Sequence, residues 1–110
     1  MSRQMTTLAE DLERLKVADP ATYTAIYYAQ FWTDSLDLDD HADLVQAIIQ
    51  GCVQRACQAR RWAWAVGRST NGMTSASVYP GPEGETVMGF PEAECLLKAY
   101  LAAMDAKDGL

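Results

Sequence analysis

The 110-residue sequence has few of the residues on which metal and thiol chemistry depend. It contains one histidine, His41, and three cysteines, Cys52, Cys57 and Cys95, none of them in a C-x-x-C pair. The interval between His41 and Cys52 matches no common zinc-ligand spacing. We therefore predict no metal site, no cofactor and no disulfide framework, and we expect the thiols to be free, buried groups in a reducing compartment.

Long apolar runs and positive net charge are also lacking. No apolar stretch approaches the ~18 residues of a membrane span, and the first residues have no apolar core of signal-peptide length. The net charge of -6 argues against a general attraction to nucleic acid or anionic lipid. We expect a soluble cytoplasmic protein with no membrane contact and no direct nucleic-acid binding, for which a basic partner is favoured.

Motifs of known catalytic sites are missing as well: the sequence has no phosphate-binding loop, paired-carboxylate motif or nucleophile elbow. His41 beside Asp40 and Asp43 resembles a catalytic pair. A lone histidine at a helix start, without a placed nucleophile, is more often structural or exposed. We therefore predict no catalytic residues and no enzyme activity, and keep a small enzyme or metal-dependent regulator built on His41 and the nearby carboxylates as a third hypothesis.

Helical periodicity fills the first 61 residues. Thr7 and Glu10 have the spacing of a capping box, and Asp19-Pro20 suits the end of one helix and the start of the next. A broad apolar face then continues down to the end of a third helix. The predicted helices run from Thr7 to Asp19, from Pro20 to Trp32, and from Asp39 or Asp40 to about Arg61.

After Arg61 the apolar period becomes alternating, which predicts strands. Asn71-Gly72 marks a hairpin, and a two-residue type I′ turn there would pair Trp64 with Tyr79. A rigid turn at 80–84 leads to a third strand, Thr86 to Phe90, before Pro91 opens the last helix.

Neither face of the predicted hairpin looks solvated, because one face is bulky and aromatic and the other is small and apolar. We therefore expect helices on both faces. The predicted fold is α+β: three N-terminal helices, a three-stranded antiparallel sheet and a C-terminal helix, arranged as an α/β/α sandwich. Residues 1–110 form one domain, with a helical part at 1–61 and a ββ(β)α part at 62–110.

The last 45 or so residues resemble a known family. Residues 62–66, the Asn71-Gly72 turn, residues 75–80 and the helix at 91–101 are similar to the small phage-encoded ABA-sandwich proteins, which also join a tryptophan-bearing hairpin to a closing helix. The long N-terminal helical part departs from that pattern. The resemblance implies a phage or prophage origin and a non-enzymatic accessory role, and it implies no catalytic residues.

Five aspartates within ten positions form the densest charge feature. They lack the central glycine and terminal glutamate of a calcium loop. As an acidic surface they would recognise a basic groove in a partner; as a solvated loop and helix cap they would have no such role. The aspartates are Asp34, Asp37, Asp39, Asp40 and Asp43.

Arginines and aromatic residues suggest a second surface. Residues 51–82 contain four arginines and no acid, next to the tryptophan hairpin. These arginines either bind a partner or form ion pairs with the acidic segments, within the fold or across a homodimer. We favour ion pairing, because intramolecular charge pairing is the commoner case. Aromatic anchors are expected among exposed members of the set Tyr28, Trp32, Trp62 and Trp64, although core packing is the commoner role of the two tryptophans in the hairpin.

These observations predict a phage or prophage accessory protein that binds and inhibits a host protein with a basic surface in the host cytoplasm. The target could be a component of an antiviral defence system, which would make the protein anti-CRISPR-like. The alternative from another class is a structural homo-oligomer or assembly protein without a foreign target.

Overall fold

A computed structural model gives the structure of residues 6–34 and 42–108, without the side chains of residues 30–34, 42–44 and 107–108. The described residues form four helices and one three-stranded antiparallel sheet with strand order β1-β2-β3, which confirms the predicted α+β class. The elements are α1 (Leu8–Ala18), α2 (Pro20–Asp34), α3 (Ala42–Arg60), β1 (Ala63–Arg68), β2 (Thr74–Tyr79), β3 (Glu85–Met88) and α4 (Glu92–Asp108). None of the described helices is long and apolar enough to cross a membrane.

The predicted capping box begins α1. The Glu10 amide donates to the Thr7 hydroxyl at 3.2 Å, and the Glu10 carboxylate accepts from the Thr7 amide at 3.0 Å. Asp19 then serves two helices. Its amide donates to the Leu15 carbonyl at 2.7 Å at the end of α1, while its carboxylate accepts from the Thr22 amide at 3.3 Å at the start of α2. One residue therefore satisfies terminal backbone groups of both helices.

The C-terminal helix α4 is the centre of the core. It packs on β2 and β3 with one side and on α1 and α3 with the others, while α2 lies against α1 and α3. Because it is enclosed in this way, α4 is buried around most of its circumference rather than along a single stripe. Its fully or almost fully buried side chains are Ala93, Cys95, Leu96, Leu97, Lys98, Ala99, Tyr100, Leu101, Ala103 and Met104.

The hairpin register differs by one residue from the predicted one. Trp64 pairs with Val78, and Tyr79 pairs with Ala63. The loop has three residues, Thr70-Asn71-Gly72, because the Ser69 amide donates to the Met73 carbonyl at 2.8 Å and closes the hairpin. Gly72, with φ 87°, takes the left-handed position in this loop. This geometry is a turn followed by a bulge residue, and Asn-Gly suits it as well as it suits a type I′ turn.

The shifted register corrects the predicted layer arrangement. Trp64, Val66 and Val78 share the face that α4 covers, whereas Tyr79 lies on the opposite face. No described helix packs on that opposite face. The expectation of an α/β/α sandwich is therefore wrong for the described residues, in which all four helices lie on one side of the sheet.

Candidate functional site: the uncovered sheet face

The opposite side of the sheet is a regular surface that the described elements leave open. Small or uncharged side chains line it, and several of them are exposed. Tyr79 and Met88, 39% and 56% exposed, are its only large side chains. The face comprises Ala63, Ala65, Gly67, Ser75, Ser77, Tyr79, Thr86 and Met88.

The side chains of this uncovered sheet face carry no formal charge. Ser77 and Thr86 face each other across β2 and β3, with their hydroxyl oxygens 2.8 Å apart, so they partly satisfy each other. At ~3.3 Å per residue the six-residue strands make the face about 20 Å long, and three strands make it about 10 Å wide. A surface of this kind is suited to contact with another protein surface, and it has no carboxylate, histidine, lysine or cysteine.

One end of the face is shaped by Tyr79 and the loop after it. The Tyr79 ring lies directly on Gly84, so closely that a side chain at position 84 would collide with the ring. Beside this contact, residues 80–85 and Ala106 line a shallow depression of about 480 Å³. The proline-glycine loop therefore holds the tyrosine at the rim of the open face.

The structure separates the predicted aromatic anchors. Tyr28 is 60% exposed on α2 and forms an edge-to-face pair with Tyr27, with 5.8 Å between ring centroids. Trp62 is buried against Tyr100, with ring centroids 5.8 Å apart, so it is part of the core and is no exposed anchor. Trp64 is half-buried under α4. Of these three, only Tyr28 presents most of its side chain to solvent.

Most of the predicted acidic surface lies outside the described residues, as does His41. Asp37, Asp39 and Asp40 fall in residues 35–41. Asp34 is the last residue of α2 and Asp43 lies in the first turn of α3, but their side chains, like that of Trp32 in α2, are not described. The acidic surface, and with it the alternatives of a metal loop or a solvated connection, stays a prediction.

Two of the four arginines have acidic partners within the fold. Arg60 lies 4.0 Å from Asp19, and Arg68 binds Glu92 at 2.9 Å. Arg55 and Arg61 are exposed, and no ion pair to an acid is observed for them among the described residues. Arg61 also has φ 61°, in the left-handed position after α3 where glycine is usual. The expectation of intramolecular pairing holds for two arginines of the four.

A buried polar cluster joins three helices around Tyr100. The Tyr100 hydroxyl donates to Asp19 at 2.6 Å and accepts from Arg60 Nε at 2.8 Å, and the Thr22 hydroxyl also donates to Asp19. Burial opposes the charge on Asp19, but these hydrogen bonds outweigh it and lower its pKa. Burial and the bond to Asp19 raise the pKa of Tyr100. The acid is thus held charged and the phenol neutral.

The Tyr100 cluster has the residue types of a catalytic site but not its accessibility. Tyr100 is fully buried, and its hydroxyl already donates to one partner and accepts from another. A catalytic proton donor must reach a substrate within hydrogen-bond distance. We therefore assign this cluster a structural role in joining α2, α3 and α4.

A second buried cluster joins α1 to α4. Lys98 Nζ lies 2.6 Å from Asp11 Oδ2, and it also donates to the Thr6 carbonyl at 2.5 Å. Thr6 in turn donates its hydroxyl to the other Asp11 oxygen, and Lys98 lies 4.5 Å from the centroid of the Phe90 ring. Asp11 is fully buried and Lys98 is 5% exposed, so this is a desolvated ion pair whose polar atoms have partners.

The cysteines are not placed for nucleophilic chemistry. Cys57 and Cys95 are fully buried and Cys52 partly so, and all three are free thiols, as predicted. Burial raises the pKa of Cys57 to about 11 and also raises the pKa of Cys52. A thiol that resists ionisation is a poor nucleophile. Among residues 6–34 and 42–108 no group of three potential metal ligands comes together.

The uncovered sheet face was missed at the sequence level because of the one-residue register error. With the observed pairing, Ser75 and Ser77 alternate with buried Ala76 and Val78, which is the polar-apolar alternation of a sheet open on one side. The sequence of β2 therefore already contained a signal that one face of the sheet is open.

No family model, curated protein or solved structure matches the chain.

Proposed function

We propose that the protein is a non-enzymatic phage or prophage accessory factor that binds a host protein and inhibits it by steric occlusion, as an anti-CRISPR-like protein would. The uncovered sheet face is the observation that best supports a protein-binding function. It combines a regular backbone, small side chains and no charge, so a partner surface can approach it without desolvating an ion.

The buried polar groups support a binding role over a catalytic one. The acids, bases and hydroxyls around Tyr100 and around Lys98 are bonded to each other, and Tyr100, Lys98 and Asp11 are buried in the core. They stabilise the packing of the helices. What is left at the surface is suited to recognition, including the exposed pair Tyr27 and Tyr28 on α2.

The aspartates at 34–43 supply the recognition of a basic host surface in this proposal. Opposite charges accelerate association and select against acidic competitors, and their effect weakens as salt screens them. The uncovered sheet face or the exposed tyrosines would supply the apolar contact area that holds the complex once it has formed.

Co-purification from host cells, followed by binding to the purified candidate, tests this proposal. Asp37→Lys combined with Asp39→Lys should abolish binding of the host protein and its inhibition while leaving Tm nearly unchanged. Glu13→Lys, a charge reversal at an exposed position of α1, is the matched control and should bind nearly as wild type. Equal affinity of the double variant and the wild type at low salt would contradict the proposed recognition surface.

Self-association through the same face is the second candidate function. The face carries no charge, so two copies can approach there in spite of the net charge of -6. Light scattering over a wide concentration range distinguishes the two. A molar mass that stays that of a monomer would exclude the homo-oligomer hypothesis. A dimer that the substitution Ala65→Lys dissociates would instead favour self-association over inhibition of a host protein.

A further inference from the structure

Strand β1 has a free backbone edge. It is an outer strand of the sheet, and no described strand pairs with its other side. The Ser69 amide donates to the Met73 carbonyl, so these two residues form a hydrogen-bonded pair. Along an antiparallel ladder, every second pair of facing residues is hydrogen-bonded. Ala65 and Gly67 therefore bond to β2, whereas the amides and carbonyls of Trp64 and Val66 point away from the sheet.

This edge lacks the features that usually protect an outer strand from pairing. From Ala63 to Gly67 it has no proline and no charged residue, and its pairing with β2 runs without a bulge. The whole strand β1 is six residues long, its single charged residue is the terminal Arg68, and most of its residues are exposed. An unprotected edge of this length is a template for another strand.

The charges around the edge define what kind of strand fits. Arg61 precedes β1 by two positions and Arg68 is its last residue, so an arginine flanks each end of the strand. Arg68 is 62% exposed, and its single bond to Glu92 leaves other donors of the guanidinium open. The whole segment 51–82 contains no acid, although the chain as a whole is acidic.

We propose that the edge of β1 binds an extended acidic segment of a partner protein, which adds to the sheet as a fourth strand. The segment spans the distance from Arg61 to Arg68, about 23 Å or eight residues of extended chain. Backbone hydrogen bonds from Trp64 and Val66 supply the pairing, and carboxylates near both ends contact the arginines. This inference does not depend on the proposed inhibition of a host protein.

A second copy of the chain is a poorer occupant of this edge. Pairing two β1 strands about a two-fold axis would bring Arg61 and Arg68 of both copies to one narrow interface whose strands contain no acid. An acidic segment meets the same arginines with opposite charge. Charge complementarity therefore selects a foreign strand over self-pairing.

The test uses the full chain and a nine-residue peptide with glutamate at each end and alternating valine and threonine between. The matched peptide carries lysine at each end. Binding is measured by fluorescence anisotropy at low and high salt, and amide hydrogen exchange locates the site. We expect the acidic peptide to protect the amides of Trp64 and Val66, while Ala65 and Gly67, already paired with β2, change little.

Three variants separate backbone pairing from charge. Val66→Pro removes an outward amide without touching the ladder to β2 and should raise Kd about tenfold. Arg61→Gln and Arg68→Gln should each raise Kd about two- to fivefold at low salt and less at high salt. As the control, Met88→Pro alters an outward position of the other outer strand, β3, and should bind the peptide like the wild type.

Three results would overturn the inference. Equal binding of the acidic and lysine peptides, or protection away from β1, would show that the edge does not select an acidic strand. A dimer in sedimentation that Val66→Pro dissociates would show that a second copy occupies the edge. Because none of these measurements involves the host target or the aspartates at 34–43, their failure is distinct from failure of the proposed function.

Discussion

The buried pair of Asp11 and Lys98 gives the sharpest stability prediction. Removing one member leaves the other charged in the core, since Asp11 is fully buried and Lys98 is 5% exposed. Breaking a buried ion pair in this way costs about 3–5 kcal/mol. Replacing both members with apolar residues of similar size, Asp11→Leu with Lys98→Met, removes both charges and should cost about 1 kcal/mol or less.

The two single variants are not expected to be equal. Lys98→Met leaves Asp11 with the Thr6 hydroxyl and with Arg14 Nη1 at 4.0 Å, so some compensation for its charge persists. Asp11→Leu leaves Lys98 with the Thr6 carbonyl and the face of Phe90, neither of which is an anion. We therefore expect Asp11→Leu to lower the free energy of unfolding more than Lys98→Met does.

Urea unfolding followed by tryptophan fluorescence measures these differences. A loss of ~3 kcal/mol moves the midpoint by about 1–3 M, which is well resolved for a domain of this size. The double-mutant cycle should give a coupling energy of at least about 2 kcal/mol between the two sites. Single variants that each cost less than about 1 kcal/mol, or costs that simply add, would refute the assignment of a desolvated pair.

Two further predictions concern the turn and the thiol. Gly72→Ala places a side chain at φ 87° and should lower the free energy of unfolding, measured by chemical denaturation, by about 1–2 kcal/mol. Gly81→Ala, whose added carbon meets nothing within 4 Å, should lower it little. Equal losses in the two variants would contradict the bulge geometry. The pKa of Cys57 is raised from 9.0 to about 11, so its contribution to stability is complete below pH 9 and is lost as the pH rises from 9 to 11. Denaturation midpoints over that range should therefore fall less steeply in Cys57→Ala, and identical slopes would show that this thiol does not titrate as stated.

The helices and the strand order were predictable because local patterns decide them. The Thr7 and Glu10 spacing fixed the start of α1, and Asp19-Pro20 fixed the boundary to α2. The start of the third strand was placed within a residue, at Glu85 rather than Thr86, although that strand ends at Met88 rather than Phe90. Capping and turn residues act over three or four positions, so a single sequence reveals them.

The register and the open face were harder to predict because Asn71-Gly72 supports two turn geometries. In one, Trp64 meets Tyr79 and makes an aromatic face that needs cover; in the other, Trp64 meets Val78 and the serines turn outward. The choice depends on how α4 packs under Val78 and Val87, which local propensity does not encode. The burial of Trp62 follows from the same packing, because α4 supplies the Tyr100 ring beside it.

The position of α4 sets the order in which the molecule is completed during synthesis. The partner of Asp11 is Lys98, which is 87 residues later in the chain, and the partner of Asp19 is Tyr100, which is 81 residues later. As the ribosome releases the chain from its N-terminus, α1 to α3 emerge without the helix that fills the space between them and the hairpin. Nascent chains that stop before residue 92 should therefore stay exposed to proteases and chaperones, and acquire protection abruptly once α4 has left the exit tunnel.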